Sequence, residues 1–179
     1  MATKAKTKAG RTAERKSSRS QAADREKEQE PVNAVDLLEQ DHREVEEWFD
    51  EYDELNDDDE DRKGELAEKI CLALKVHAQI EEEIFYPRAR EAAKDDDLID
   101  EAIVEHATVK NLIGEIEEME VGEEFYDAKV RVLGEMVKRH IQEEEEELFL
   151  ELQSAKMDLE AVGKELAARK QELMSEMSA

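Results

Sequence analysis

Each of the four histidines in this 179-residue chain stands in its own stripe of apolar residues spaced three and four apart. That spacing puts a stripe on one face of an α-helix, so four helices each present one imidazole to their packing partners. The first stripe reads Val35, Leu38, His42, Val45, Phe49, Tyr52, Leu55, and the second Leu66, Ile70, Ala73, His77, Ile80, Glu81, Ile84. The third reads Ile99, Ala102, His106, Val109, Ile113, Ile116, and the fourth Tyr126, Val130, Leu133, Val137, His140, Glu144, Glu147. In the second and fourth a glutamate follows the histidine by four residues, one turn along the same face.

The punctuation between the stripes supports a bundle. Asn33 is a candidate N-cap for the first helix, and the run Asn56 to Glu60 is a turn. The second helix is expected from Asp61 to Tyr86, because Pro87 disfavours helical geometry at the residue before it. The third is expected over Leu98–Met119, after the capping run Asp95 to Asp97. The short Val121-Gly122 connection makes the fourth, Glu123 to Leu152, its antiparallel neighbour. A fifth helix, capped by Asp158, carries Leu159, Val162, Leu166, Leu173 and Met177. It is too amphipathic for a plain tail, and should lie on the bundle or mediate dimerisation. The expected fold is all-α: an up-down-up-down four-helix bundle over 33–152, an amphipathic helix over 153–179, and a disordered basic tail over 1–32.

Composition agrees with that division. Two prolines, six glycines and 43% charged residues favour helices over sheet. Residues 1–30 carry a net charge of +4 and have almost nothing to bury, whereas residues 31–179 carry −29. The acidic body should repel nucleic acid, which leaves the basic tail as the one segment suited to an anionic partner. Cys71 is alone, so no disulfide framework exists. No apolar run reaches the roughly 18 residues of a membrane span, and no signal pattern stands out. A cytoplasmic monomer or dimer without a membrane partner is expected.

Counted from the expected helix ends at about 1.5 Å per residue, the four histidines lie about 13–17 Å from one end of the bundle. Four imidazoles and two stripe carboxylates at one level cannot be buried without partners. A pair of metal ions would supply them, held by His42, His77, Glu81, His106, His140 and Glu144, with the two glutamates bridging. Imidazole with bridging carboxylate suits two iron ions, with manganese or zinc as poorer fits. Glu82, Glu83, Glu143, Glu145 and Glu146 read as solvated faces, and Glu147 and Glu151 as a lower rim. Asp41 and Glu105, each preceding a histidine, are candidate supports for the site. Tyr52, Tyr86 and Tyr126 read as packing residues, and Trp48 and Cys71 carry no visible chemistry.

His42, His77-x3-Glu81, His106 and His140-x3-Glu144 on successive helices resemble the hemerythrin/HHE cation-binding family. The runs Asp41-His42-Arg43-Glu44-Val45-Glu46-Glu47-Trp48 and Glu81-Glu82-Glu83-Ile84-Phe85-Tyr86-Pro87 are similar to bacterial members. The resemblance implies a non-haem di-iron centre that binds or senses O2 or a related small oxidant. Two departures qualify it. Oxygen-carrying hemerythrins have a second histidine on the third helix, four residues from the first, where this chain has Ala102 or Lys110. They also bridge with an aspartate five residues after the fourth-helix histidine, where this chain offers Glu144 at four. One iron would then have an open position. That moves the expectation from O2 carriage to sensing, or to peroxide or nitric oxide chemistry in redox or iron stress. A binding protein is expected ahead of an enzyme, with weak peroxidase-, catalase- or nitric-oxide-reductase-like turnover as the enzymatic form. The alternatives are a ferroxidase or iron-storage enzyme, whose sites use Glu-x-x-His instead, and an acidic helical interaction module without metal.

Overall fold

The computed structural model describes residues 33–56, 58–93 and 96–177; the basic segment 1–32, expected to be a disordered tail, lies outside them. All regular elements among the described residues are helical. They are α1 (Ala34–Glu54), α2 (Glu60–Ile80), α3 (Tyr86–Ala92), α4 (Asp97–Glu117), α5 (Tyr126–Glu143), α6 (Phe149–Ser154) and α7 (Leu159–Met177). One wide π-helical turn, Glu81–Phe85, joins α2 to α3, and a second, Glu144–Leu148, joins α5 to α6. The result is four rods. α1 packs on α2 and α5, and α4 packs on the same two, which closes the bundle.

Caps and turns set the ends. The Val35 N–H donates to Asn33 Oδ1 at 2.9 Å, and the Ala161 N–H donates to Asp158 Oδ1 at 3.0 Å, so both expected caps form. The fourth rod starts at Tyr126 instead of Glu123, because Gly122 (φ 87°) and Phe125 (φ 74°) are left-handed and interrupt helical geometry.

Pro87 does not end the second helix. A proline ring clashes with the carbonyl four residues back in a regular helix, and the wide turn directly before Pro87 relieves that clash. The Tyr86 N–H donates to the Glu81 carbonyl, five residues back, and the Phe149 N–H donates likewise to Glu144. Each wide turn adds one residue and moves the inward positions on by one. Phe85 and Ala89 are buried where the stripe pointed to Ile84. Leu148 and Leu152 are buried where it pointed to Glu147, which is exposed.

The core is in two parts. Phe49, Leu66, Ile70, Ile113 and Leu133 belong to one, toward the α4–α5 turn. Leu38, Ile80, Phe85, Ile99, Leu148 and Phe149 belong to the other. Between them along every rod lies one buried polar layer: His42, His77, Glu81, His106, His140 and Glu144. Helix α7 lies on the bundle, against α1, α2 and the first wide turn, with Val162, Leu166 and Leu173 buried in the second part of the core.

Candidate metal centre

All six residues expected at the site converge. His42 Nε2 and His77 Nε2 are 3.1 Å apart, and so are His106 Nε2 and His140 Nε2. Each glutamate reaches one histidine of each pair. Glu81 Oε2 is 3.2 Å from His77 Nε2 and 3.4 Å from His106 Nε2. Glu144 Oε2 is 3.4 Å from both His42 Nε2 and His140 Nε2. Ligand atoms of His42, His77, Glu81 and Glu144 all lie within 4.8 Å of one another, and so do those of Glu81, His106 and His140. Glu81 is common to both groups.

The outer ring nitrogens face carboxylates. His42 Nδ1 is 2.8 Å from Glu145 Oε1, and His106 Nδ1 is 3.1 Å from Glu82 Oε1. His140 Nδ1 is 2.9 Å from Glu105 Oε2, and His77 Nδ1 is 3.5 Å from Asp41 Oδ2. Asp41 and Glu105 thus support the site as expected. Glu82 and Glu145 correct the sequence reading, because they are not free solvated faces. Each follows an inward glutamate by one residue, at equivalent places in the two halves. The acidic runs around them hid that signal.

The two halves are related residue by residue. Asp41-His42 matches Glu105-His106, and His77-x3-Glu81-Glu82 matches His140-x3-Glu144-Glu145. The match breaks nine residues after the second histidine of each half, at Tyr86 and Phe149. The Phe149 ring stacks on His42 at 5.8 Å. Tyr86 instead brings a hydroxyl into the polar layer: it donates to Glu144 Oε1 at 2.8 Å and lies 3.3 Å from His106 Nε2. The expectation that Tyr86 only packs is overturned. Lys110, at the position considered for a fifth histidine, points outward to Glu82 at 2.7 Å.

The electrostatics show what the layer lacks. A neutral imidazole has one N–H, and carboxylates facing Nδ1 hold the proton there. Each pair of Nε2 lone pairs then faces across 3.1 Å with no hydrogen between them. Two ligands at adjacent octahedral corners, about 2.1 Å from one cation, are separated by about 3.0 Å. Glu81 Oε1 and Glu144 Oε2 are buried and accept no hydrogen bond. A cation at each pair would satisfy lone pairs and carboxylates together, so the donor set fits a metal pair.

Without one, protons must do the work. Burial opposes a charged His77, but Glu81 and Asp41 outweigh it and raise the imidazole to about 10. His140 is raised to about 9 against burial, by Glu144, Glu81 and Glu105. Burial and the His140 charge push His106 down to about 3. Burial and the Glu144 charge push the Glu81 carboxyl up. The Glu144 carboxyl is held low despite its burial, by His140 and His42. Two carboxylates and four imidazoles therefore divide protons unevenly, as expected of sites that act on charge.

A cavity of about 100 Å³ is lined by all four imidazoles. Val45, Leu74, Val109 and Val137 wall it, with Trp48 and Met174 also in its lining. Cys71 is buried elsewhere, and burial pushes its thiol up to about 12, which keeps it unreactive.

Known proteins resemble this chain in sequence and in fold. A stretch of 122 residues is 30% identical to a DNA nickase of Nostoc sp., covering 68% of this chain. It covers 34% of that protein, so the chain spans about a third of the relative's length. The fold is similar to that of a hemerythrin HHE cation-binding domain-containing protein from Mycobacterium kansasii, with a TM-score of 0.69 and 24% identity over 81% of this chain and 89% of that one. Residues 33–152, which hold the whole polar layer, match the hemerythrin HHE cation-binding domain. The chain belongs to the hemerythrin HHE cation-binding domain family.

Proposed function

We propose that residues 33–152 hold two iron ions and bind or sense a small oxidant such as O2, peroxide or nitric oxide, in a cytoplasmic response to redox or iron stress. The single observation that carries the metal reading is the double facing of Nε2 lone pairs at 3.1 Å above orphaned carboxylate oxygens. His42 and His77 would hold one ion, and His106 and His140 the other, with Glu81 and Glu144 shared. When bound, iron would supply reversible electron transfer to the oxidant.

The chain's own groups give that chemistry its setting. Asp41, Glu82, Glu105 and Glu145 each fix one imidazole through Nδ1, so that Nε2 is the atom aimed inward, free for an ion once its proton has left. Val45, Leu74, Val109 and Val137 exclude water from the approach and admit a small, weakly polar molecule. The Tyr86 hydroxyl holds a proton beside Glu144 Oε1, in reach of whatever binds there. It stands on the His106 side only, so the two positions are unequal. The His106 side gathers three ligand residues against four on the His42 side, so it is the one left for an exogenous ligand, beside the Tyr86 hydroxyl.

DNA cleavage does not follow from the likeness to a nickase. The shared stretch is a third of that protein, and the −29 charge of residues 31–179 opposes a phosphate backbone. Among the described residues no helix is long and apolar enough to cross a membrane. The test is metal analysis of protein made in iron-replete cells, with absorption spectra before and after O2, peroxide and nitric oxide. Two irons per chain and an oxidant-dependent spectrum are expected. Protein free of metal sinks the reading.

A further inference from the structure

Three of the four carboxylates behind the imidazoles are themselves held by cations, and those cations come from different places. Lys110 pairs with Glu82, behind His106. Arg139 pairs with Glu105 at 2.7 Å, behind His140. Lys170 pairs with Asp41, behind His77. The first two cations lie within the four rods. Lys170 lies on α7, outside the residues that match the family domain.

The internal likeness of the two halves explains why. Arg139 immediately precedes His140, and the equivalent residue before His77 is Val76. Val76 has no charge to offer and is 1% exposed, buried in the same part of the core as α7's Val162 and Leu166. One half therefore carries its own cation. The other has an apolar residue there, in the core shared with α7, and α7 brings Lys170 to the vacant role. Asp41 is only 10% exposed, so its carboxylate meets little solvent between Lys170 and His77.

We propose that Lys170 is a positioning residue of the metal centre: it fixes Asp41, Asp41 fixes the His77 imidazole, and the docking of α7 is thereby coupled to the metal. Lys170 does not reach the ligand atoms. It acts by restricting how far Asp41, and with it the ring of His77, can turn. The coupling is reciprocal, so bound metal holds α7 in place as α7 holds the metal.

The inference rests on the metal reading, and one experiment separates them. Wild-type protein and the variants K170M, K170R, D41N, D41N/K170M and E165Q are loaded with ferrous iron in air. The absorption spectrum and the rate of iron release to a chelator are then recorded. Supports of a metal-ligating histidine are typically worth about 10-fold or more in metal affinity, so K170M should release iron about 10-fold faster and shift the absorption bands. K170R should restore both. D41N should match K170M, and the double variant should be no worse than either single one. E165Q removes the exposed Arg88–Glu165 pair on the same helix and should behave as wild type. Should K170M fail to fold, D41N against wild type, with limited proteolysis of α7 in loaded and metal-free protein, gives the same reading. Faster cleavage of α7 without metal supports the coupling. Unchanged release and spectrum in K170M, additive effects in the double variant, or α7 cleavage indifferent to metal overturn this inference alone. Wild-type protein that takes up no iron overturns it together with the metal reading.

Discussion

The Tyr86 hydroxyl donates to Glu144 Oε1 at 2.8 Å, so a residue of the second rod holds the carboxylate of the fourth across the centre of the bundle. Its counterpart in the other half, Phe149, makes no such bond. Replacing Tyr86 by Phe makes the halves alike at this position and leaves Glu144 with one donor fewer. A buried hydrogen bond to a charged group contributes about 1.5–3 kcal/mol, so Y86F should lower the stability of the metal-free protein by about that amount. Denaturant midpoints check this. The spectrum of the loaded protein should change as well, since the hydroxyl stands 3.3 Å from His106 Nε2.

The buried polar layer is built for a cation and is costly without one. Replacing His77 and Glu81 together by Leu removes an orphaned carboxylate oxygen and an imidazole from the core. Exchange of buried charged groups for apolar ones of similar size is often neutral or stabilising by about 1–4 kcal/mol. The metal-free double variant should melt at or above the wild-type temperature while its iron content falls, and added iron should no longer raise its melting point. Calorimetry with and without iron separates the two effects.

The uneven protonation of the layer gives the metal-free protein a defined pH profile. His77 is raised from 6.5 to about 10, so its contribution is complete below pH 6.5 and is lost as pH rises through 10. His140, raised to about 9, acts in the same direction. His106 is depressed to about 3, and it withdraws stability as pH falls from 6.5 toward that value. Melting temperature should therefore be highest near neutrality and fall on the alkaline side. Iron affinity should rise over that same alkaline range, because a proton must leave His77 and His140 before their Nε2 atoms can bind. Titration calorimetry in buffers of different ionisation enthalpy should detect the released protons.

Phe125 offers a test remote from the site. It is left-handed at φ 74°, and its side chain is 64% exposed. Left-handed geometry costs a residue with a Cβ roughly 1–2 kcal/mol, and little burial is lost with this ring. F125G should raise stability by about 0.5–1 kcal/mol after allowance for the freer unfolded chain, with iron content unchanged. Equilibrium denaturation and metal analysis together check it.

The six polar-layer residues were legible in the sequence because helical periodicity is local. Three- and four-residue spacings place His42, His77, His106 and His140 on inward faces whatever the helices pack against. The i, i+4 relation selects Glu81 and Glu144 from their acidic neighbours. Cap chemistry at Asn33 and Asp158 is equally local, and both caps form. The roles of Glu82, Glu145, Tyr86 and Lys170 were not legible. Glu82 and Glu145 serve histidines on other rods, and Tyr86 moves inward only because a wide turn shifts the helix face by one residue before Pro87.

The His-x3-Glu spacings by themselves determined a level at which four imidazoles and two carboxylates had to meet, since a helix repeats every 3.6 residues and an apolar stripe must be buried. Tertiary structure alone decided what the sequence differences between the two halves do. Tyr86 faces His106 while Phe149 faces His42, and Lys170 of α7 serves the half that has Val76 in place of Arg139. Those choices depend on pairs of side chains 20 to 129 residues apart, and only packing brings such pairs within reach of a hydrogen bond.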